Sequence, residues 1–295
     1  MGRADLRVER GVSEDYEKVF LSDPGATAFH HPDFLRASEA IFRGRLEIWW
    51  LGDACACPFI VRKKGPYRSA SSLGYGCYGG PVGRRERFSE FMGVARDAGF
   101  SRIEIVDFRN RLPSEGFRIV DRTAHILTLP DDPDALVSAY SALRRRELRK
   151  DIRVERRADP RGFYELHRET FAALRAWVTP EEGILALLGS DIARFYTATA
   201  GEETVGALLV LSYGSEAMWW ISGRSPRGEG AMTHLLHAAI LDAIAEGRRR
   251  FNMGGTDAPG PGRFKESMGA RPYSYRSLVR ETGVLGFLRR IRRGR

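Results

Sequence analysis

The chain has 295 residues, 43% of them hydrophobic and 29% charged, a balance that excludes wholesale disorder, collagen-like repetition and a disulfide-dense miniprotein. Its 47 basic residues outnumber 38 acidic ones for a net charge of +9, and only five of the 47 are lysines, which leaves 42 arginines. Guanidinium groups favour bidentate contacts with phosphate and carboxylate, so a polyanionic partner or substrate is expected.

Cys55, Cys57 and Cys77 are odd in number, and Cys55-Ala-Cys57 lacks the two-residue gap of a zinc knuckle, so these side chains are expected in a buried strand and no metal site is expected. The first residues contain no apolar signal core and no segment reaches membrane-spanning length; the expectation is a soluble, cytoplasmic protein.

In chain order, residues 46–51 (LEIWWL) predict a strand, Gly52-Asp53 a turn and residues 54–62 the returning strand. Residues 71–78 (SSLGYGCY) read as a third strand, followed by a Gly79-Gly80-Pro81 loop, a helix over 86–98 closed by Gly99, and a strand over 102–108. An Asp-Pro pair opens a helix over 134–150 that ends in Arg144, Arg145, Arg146, Arg149 and Lys150. Next come a strand at 152–156 and helices at 162–177 and 181–188. The opening pattern then recurs: strands at 194–199, 204–213 and 217–222, the loop GRSPRGEG, a helix over 231–246 closed by Gly247, and a strand at 250–253 leading into GGTDAPGPG. Met232, Leu235, Leu236, Ala239, Ile240 and Ala243 give that helix its apolar face. Two copies of a hairpin, strand, helix and strand predict a tandem α+β chain. Each half is a mixed, mainly antiparallel sheet flanked by helices. The domains expected are 1–133, completed by 276–295, and 134–275.

The order strand, two helices, strands, helix, strand resembles a duplicated GNAT acyltransferase. Three motifs narrow the resemblance to the Fem family of aminoacyl-tRNA-dependent peptidyltransferases: Phe29-His-His-Pro-Asp-Phe34, the Arg/Lys-rich inter-domain helix, and Phe251-Asn-Met-Gly-Gly with Phe264-Lys265-Glu-Ser-Met-Gly269-Ala. The resemblance implies transfer of an amino acid from its tRNA ester to an amine of a peptide-type acceptor. That acceptor is a peptidyl-nucleoside or other antibiotic precursor, or a peptidoglycan precursor. The shorter chain and the missing coiled-coil arm favour the former. No cofactor is implied beyond aminoacyl-tRNA as co-substrate, and a monomer is expected.

By the same resemblance Lys265 is the catalytic residue, its ammonium stabilising an oxyanion or the phosphate at the tRNA 3′ end. Phe264 stacks on a terminal base or serves as core. Asn252, Gly254, Gly255 and Asp257 line the donor site. His31, Arg36, Tyr75 and Tyr78 belong to the acceptor side. Arg144, Arg145, Arg149, Lys150, Arg248 and Arg249 are the candidate tRNA contacts, since neutralised phosphates release counterions whatever the base sequence. The basic tail 289–295 either touches an anionic membrane weakly or docks back on the body.

No Gly-x-Ser-x-Gly elbow is present, no cysteine sits in a nucleophile motif, and no general base stands out. His234 and His237 have metal-ligand spacing but no completing ligand, so packing is expected of them. An alternative donor is CoA. Ordinary GNAT domains grip its pyrophosphate with Arg/Gln-x-x-Gly-x-Gly/Ala. Here Ser225-Pro-Arg-Gly228-Glu-Gly230 keeps both glycines, replaces the first residue with Ser225 and adds the negative Glu229. A third possibility is a catalytically inactive tRNA- or membrane-binding module.

Overall fold

Strand pairing in the first half grows outward from the Gly52 turn, whose positive φ of 59° suits a residue without a Cβ. The computed structural model describes residues 6–74, 76–156, 160–255 and 259–282. Its first elements are β1 (Leu6–Arg10), α1 (Glu14–Ser22), α2 (Pro32–Phe42), β2 (Arg45–Leu51), β3 (Cys55–Lys64), β4 (Tyr67–Ser71), β5 (Val82–Gly83), α3 (Phe88–Asp97) and β6 (Arg102–Asp107). Ser13 caps α1 by accepting from the Tyr16 amide, and His31 caps α2 by accepting from the Asp33 amide with Pro32 behind it. β2 and β3 pair antiparallel from Arg45–Val61 to Leu51–Cys55, and β6 runs parallel to β4. Phe91, Met92 and Ala95 of α3 share a core with Trp49, Phe59 and Ile105. All three cysteines are buried and free; burial pushes the Cys55 thiol up to about 12.

The third strand lies at Tyr67–Ser71, not over 71–78. Leu73 adopts φ 59°, and Gly79 approaches Ser72 so closely that a Cβ there would stand 1.9 Å from the Ser72 carbonyl oxygen. Ser72 and Gly79 thus come together where a continuous strand would hold them far apart.

The chain continues with β7 (Arg118–Thr128), α4 (Ala142–Glu147), β8 (Arg153–Glu155), α5 (Pro160–Ala173), α6 (Glu181–Leu185), β9 (Ala193–Ala200), β10 (Glu203–Tyr213), β11 (Glu216–Arg224), α7 (Ala231–Ala245), β12 (Arg250–Gly255), α8 (Pro259–Ser267) and β13 (Arg271–Glu281). Leu235, Leu236, Ala239 and Ile240 of α7 pack on Leu208 and Val210 of β10 and on Phe251. The helix expected over 134–150 is broken. Short 3-10 turns at Pro133–Ala135 and Val137–Ala139 precede an extended Tyr140 (ψ 145°), and Ser141 then starts α4 by accepting from the Arg144 amide. The glycine-rich run after β12 holds a second surprise, since prolines in the first turn let residues 259–267 form a helix that carries Phe264 and Lys265.

The fold is mixed α+β and divides into two compact units. One comprises residues up to Arg122 and again from Tyr275, the other Thr123–Ser274. Within the first, the sheet order is β1-β2-β3-β4-β6-β13; within the second it is β7-β12-β11-β10-β9-β8. Strand, two helices, antiparallel strands, a helix and then a strand parallel to its predecessor recur in both. Among the described residues, no helix is long and apolar enough to cross a membrane.

Candidate active site

In the second unit β11 and β12 pair in parallel over only three residues, Glu216–Arg250, Ala217–Phe251 and Met218–Asn252. Beyond Met218, β11 is thrown out of register with β10 between Leu209 and Val210, so that Trp219 and Ile221 face those residues and Trp220 is the extra one. Parallel strands that stop pairing part at their carboxyl ends, and such a parting is where open α/β sheets bind ligands.

The parting is furnished by four side chains. Trp219 meets Phe264 edge to face, with centroids 6.3 Å apart. Lys265 Nζ lies 5.4 Å from the Trp219 centroid, and the Arg144 guanidinium stands over the Phe264 ring at 4.9 Å. Lys265 is only 4% exposed, and its ammonium donates to the carbonyl oxygens of Gly254 (3.1 Å) and Gly255 (2.7 Å). Gly254 has φ 75°, and a Cβ there would come within 3.3 Å of the Trp219 carbonyl oxygen, so β12 and β11 approach through a residue without a side chain. Asn252 is fully buried. Its Nδ2 donates to Glu216 Oε1 at 3.3 Å and its Oδ1 accepts from the Gly254 amide at 2.9 Å, so it shapes the strand end.

The first unit holds a different cavity beside Tyr78, whose ring stacks on Phe108 at 3.8 Å. His31 and Arg36 do not line it. His31 caps α2, and Arg36 is half exposed and pairs with Glu17 at 2.5 Å and Asp33 at 3.2 Å. The neighbouring His30 faces the cavity instead. Tyr75 and Asp257 lie outside the described residues, as does the tail 289–295.

The candidate tRNA contacts divide by burial. Arg144 is half of a buried ion pair with Glu147 (2.7 Å), and both bind the Thr233 hydroxyl, which donates to Glu147 at 2.5 Å. Arg248 is held by Ser212, by the Gly214 carbonyl and by Glu246. Lys150 pairs with Glu229 at 3.0 Å. Arg145, bound to the Tyr140 carbonyl, and Arg149 and Arg249 are exposed. His234 and His237 contact the Glu147 carbonyl and the Tyr140 hydroxyl, so both serve packing between α7 and the segment around α4. No cluster of metal-ligating side chains is present among the described residues.

Three amides of the loop before α7 are bonded within the loop itself. The Arg227 amide donates to Ser225 Oγ, the Gly228 amide to the Ser225 carbonyl, and the Ala231 amide to the Gly228 carbonyl. Lys150 covers its other side, bonding both the carbonyl and the carboxylate of Glu229, whose pKa it lowers. Sequence reasoning missed Trp219, whose role depends on the bulge, and His125, buried in β7 with Nε2 3.4 Å from Glu266. It also missed His30, which was visible only as half of a histidine pair.

Residues 104–266 match the family described as "Acetyltransferase (GNAT) domain", more than half of the chain. No curated protein matches in sequence. Among solved structures, FemX superposes with a TM-score of 0.68 at 13% identity, covering 92% of this chain and 96% of FemX. The C-terminal domain of a putative lysylphosphatidylglycerol synthetase from Agrobacterium fabrum gives 0.63 at 14% identity, covering 91% and 92%. L-PGS from Bacillus licheniformis gives 0.62 at 16%, covering 95% of each chain. At such identities the likeness is one of fold.

Proposed function

The chain belongs to the GNAT acetyltransferase-domain family and is an acyltransferase, and from that premise we propose that it joins an acyl group to an amine where β11 and β12 part. The observation that carries this reading is the three-residue parallel pairing, followed by a bulge that leaves Trp219, Phe264 and Lys265 at the opening. A neutral amine attacks the acyl carbonyl to give a tetrahedral oxyanion. Collapse expels the donor's oxygen, which takes up the proton the amine loses, and leaves an amide. An ester donor is activated already, so the enzyme need supply only position and charge. Lys265, fixed by two carbonyls, contributes a positive charge that needs no reorganisation. Phe264 and Trp219 offer an aromatic surface for a base or an acyl side chain.

We read the donor as an aminoacyl ester of tRNA. Ser225 in place of Arg or Gln, the Arg227, Gly228 and Ala231 amides already bonded within the loop, and the Glu229 carboxylate paired with Lys150 beside it depart from the ordinary CoA pyrophosphate grip. Exposed Arg145, Arg149 and Arg249 then serve as phosphate contacts. The first unit is read as a second copy of the same fold, supported by its matching order of elements. The second reading, an acyl-CoA donor, is favoured by the acetyltransferase family match. One experiment separates them. The protein is incubated with tRNA charged with each of the twenty amino acids and with acetyl-CoA, against a panel of peptide and nucleoside amines, and products are read by mass spectrometry. An aminoacyl amide supports the first reading, an acetylated amine with no aminoacyl product replaces it by the second, and no amide from any donor sinks both.

A further inference from the structure

In the first unit the end of α2 lies against the β3–β4 hairpin. A Cβ on Gly44 would stand 2.5 Å from Ile60 Cγ2 and 3.2 Å from Arg62 Cγ, so a residue without a side chain lets the chain leaving α2 press onto β3. That approach brings Arg43 beside the cations of the hairpin. Between them is a solvent-open cleft of about 450 Å³, whose polar lining is Arg43, Arg62, Lys63, Lys64, Tyr67 and Ser69. The volume falls within the range of small-molecule sites, about 300–1,000 Å³.

Four cations meet at this cleft, and none of the side chains lining it is acidic. Glu39 and Glu47, which flank Arg43 in sequence, are engaged elsewhere. Glu39 accepts from the Leu46 amide at 2.7 Å, and Glu47 accepts from Arg45 and from the Trp49 indole. Arg62 donates to the Phe42 carbonyl, where it complements the carboxyl end of α2. Arg43, Lys63 and Lys64 are exposed and, among the described residues, make no ion pair.

Two local features cost free energy and gain no internal contact in return. Arg43 follows α2 with φ 50°, a left-handed position that glycine fills most readily. Lys63 stands directly opposite Arg68 in the β3–β4 ladder, so two like charges face each other across the hairpin. An anion held in the cleft offsets both.

We propose that this cleft binds a phosphate group carrying at least two negative charges, a phosphomonoester or a diphosphate. Arg43, Lys63 and Lys64 close on it, with Arg62 behind them and the Tyr67 and Ser69 hydroxyls available in the wall. Several cations around one opening favour a multiply charged head over a single carboxylate, and guanidinium and ammonium both suit phosphate oxygens. A soluble molecule and a lipid headgroup present the same chemistry here. The inference does not depend on the acyl-transfer reading.

The full chain is titrated with inorganic pyrophosphate, inorganic phosphate and acetate by calorimetry at fixed ionic strength. Pyrophosphate is expected to bind saturably, phosphate more weakly and acetate not at all. Lys63→Gln with Lys64→Gln is expected to weaken pyrophosphate binding at least tenfold at an unchanged melting temperature. Arg84→Gln with Arg85→Gln removes the same charge beyond the opposite end of β3 and should leave binding unchanged. Arg43→Gly removes a cation and relieves the left-handed backbone, so binding should weaken while the melting temperature holds or rises. Sedimentation with phosphatidylcholine vesicles containing phosphatidic acid identifies the source. Retention that the lysine pair abolishes marks a lipid headgroup; saturable pyrophosphate binding without such retention marks a free phosphate. Absence of saturable pyrophosphate binding overturns the proposal, and if the lysine pair then weakens tRNA binding, the hairpin is an RNA contact instead. Equal loss of pyrophosphate in the two paired variants, or equal affinity for acetate, overturns it as well.

Discussion

Lys265 Nζ donates to the Gly255 carbonyl oxygen at 2.7 Å, so the lysine of the Phe-Lys motif ties α8 to the end of the strand it follows. The same ammonium holds the Gly254 carbonyl. One cation thus fixes the backbone at the parting of β11 and β12 and supplies charge there.

Replacing Lys265 by Ala should therefore act twice. Leaving the buried Gly254 carbonyl without its cation should cost about 1–3 kcal/mol in urea unfolding. Loss of the fixed charge should lower kcat about a hundredfold or more while KM moves little. Assays run well below the variant's melting temperature distinguish the two effects. Full turnover in a destabilised Lys265→Ala protein would leave the lysine a purely structural role.

The buried Arg144–Glu147 pair gives a second test, because Glu147 also anchors Thr233 of α7. Glu147→Ala strands a buried guanidinium and should destabilise the protein by about 3–5 kcal/mol. Replacing both partners, Arg144→Met with Glu147→Leu, should recover most of that loss, as judged by paired denaturant melts. Equal destabilisation in the single and double variants would show that the charge left behind is not the cause.

Two glycines associated with α5 should respond in opposite directions. A Cβ on Gly223 of β11 would lie 2.3 Å from the Leu166 carbonyl carbon and 2.4 Å from the His167 nitrogen. Gly223→Ala should therefore cost about 3 kcal/mol through forced separation of helix and strand. Gly162, inside α5, has open space, and Gly162→Ala should stabilise by about 0.5–1 kcal/mol through helix propensity. Thermal melts of the two variants decide the matter.

Burial lowers His30 from 6.5 to about 4. Between these values the unfolded chain binds the proton and the folded one does not. The stability this group contributes is therefore complete above pH 6.5, falls as the pH drops, and is lost by about pH 4. The linked loss is about 3 kcal/mol, and desolvation of His167 and His237 acts in the same sense. The slope of unfolding free energy between pH 7 and 4 should be shallower in His30→Gln than in the parent protein. An unchanged slope would place the protonation elsewhere.

What could be read from the residues was set by local chemistry. The apolar run in LEIWWL, the apolar face of residues 231–246 and the glycines that follow α3 and α7 are short-range signals, and β2, α7 and the chain reversals fall where they indicate. The strand expected over 71–78 failed because Gly79 folds back onto Ser72, a contact seven residues apart that no local pattern records. The helix over 134–150 failed because Ser141 is a stronger start signal than the Asp-Pro before it.

The site divides in the same way. The Phe-Lys motif, the +9 charge and the family resemblance were legible in the chain, because each is a matter of which residues are present. Which cations are engaged was not, since Arg144 reaches Thr233 and Lys150 pairs with Glu229, both distant in sequence. Nor could sequence separate His30 from His31. The two adjacent imidazoles have different tasks, since His30 accepts from the Thr27 amide to close its 3-10 turn while His31, where that turn ends, caps α2. Composition set the excess of cations; only tertiary packing decided which of them stay exposed.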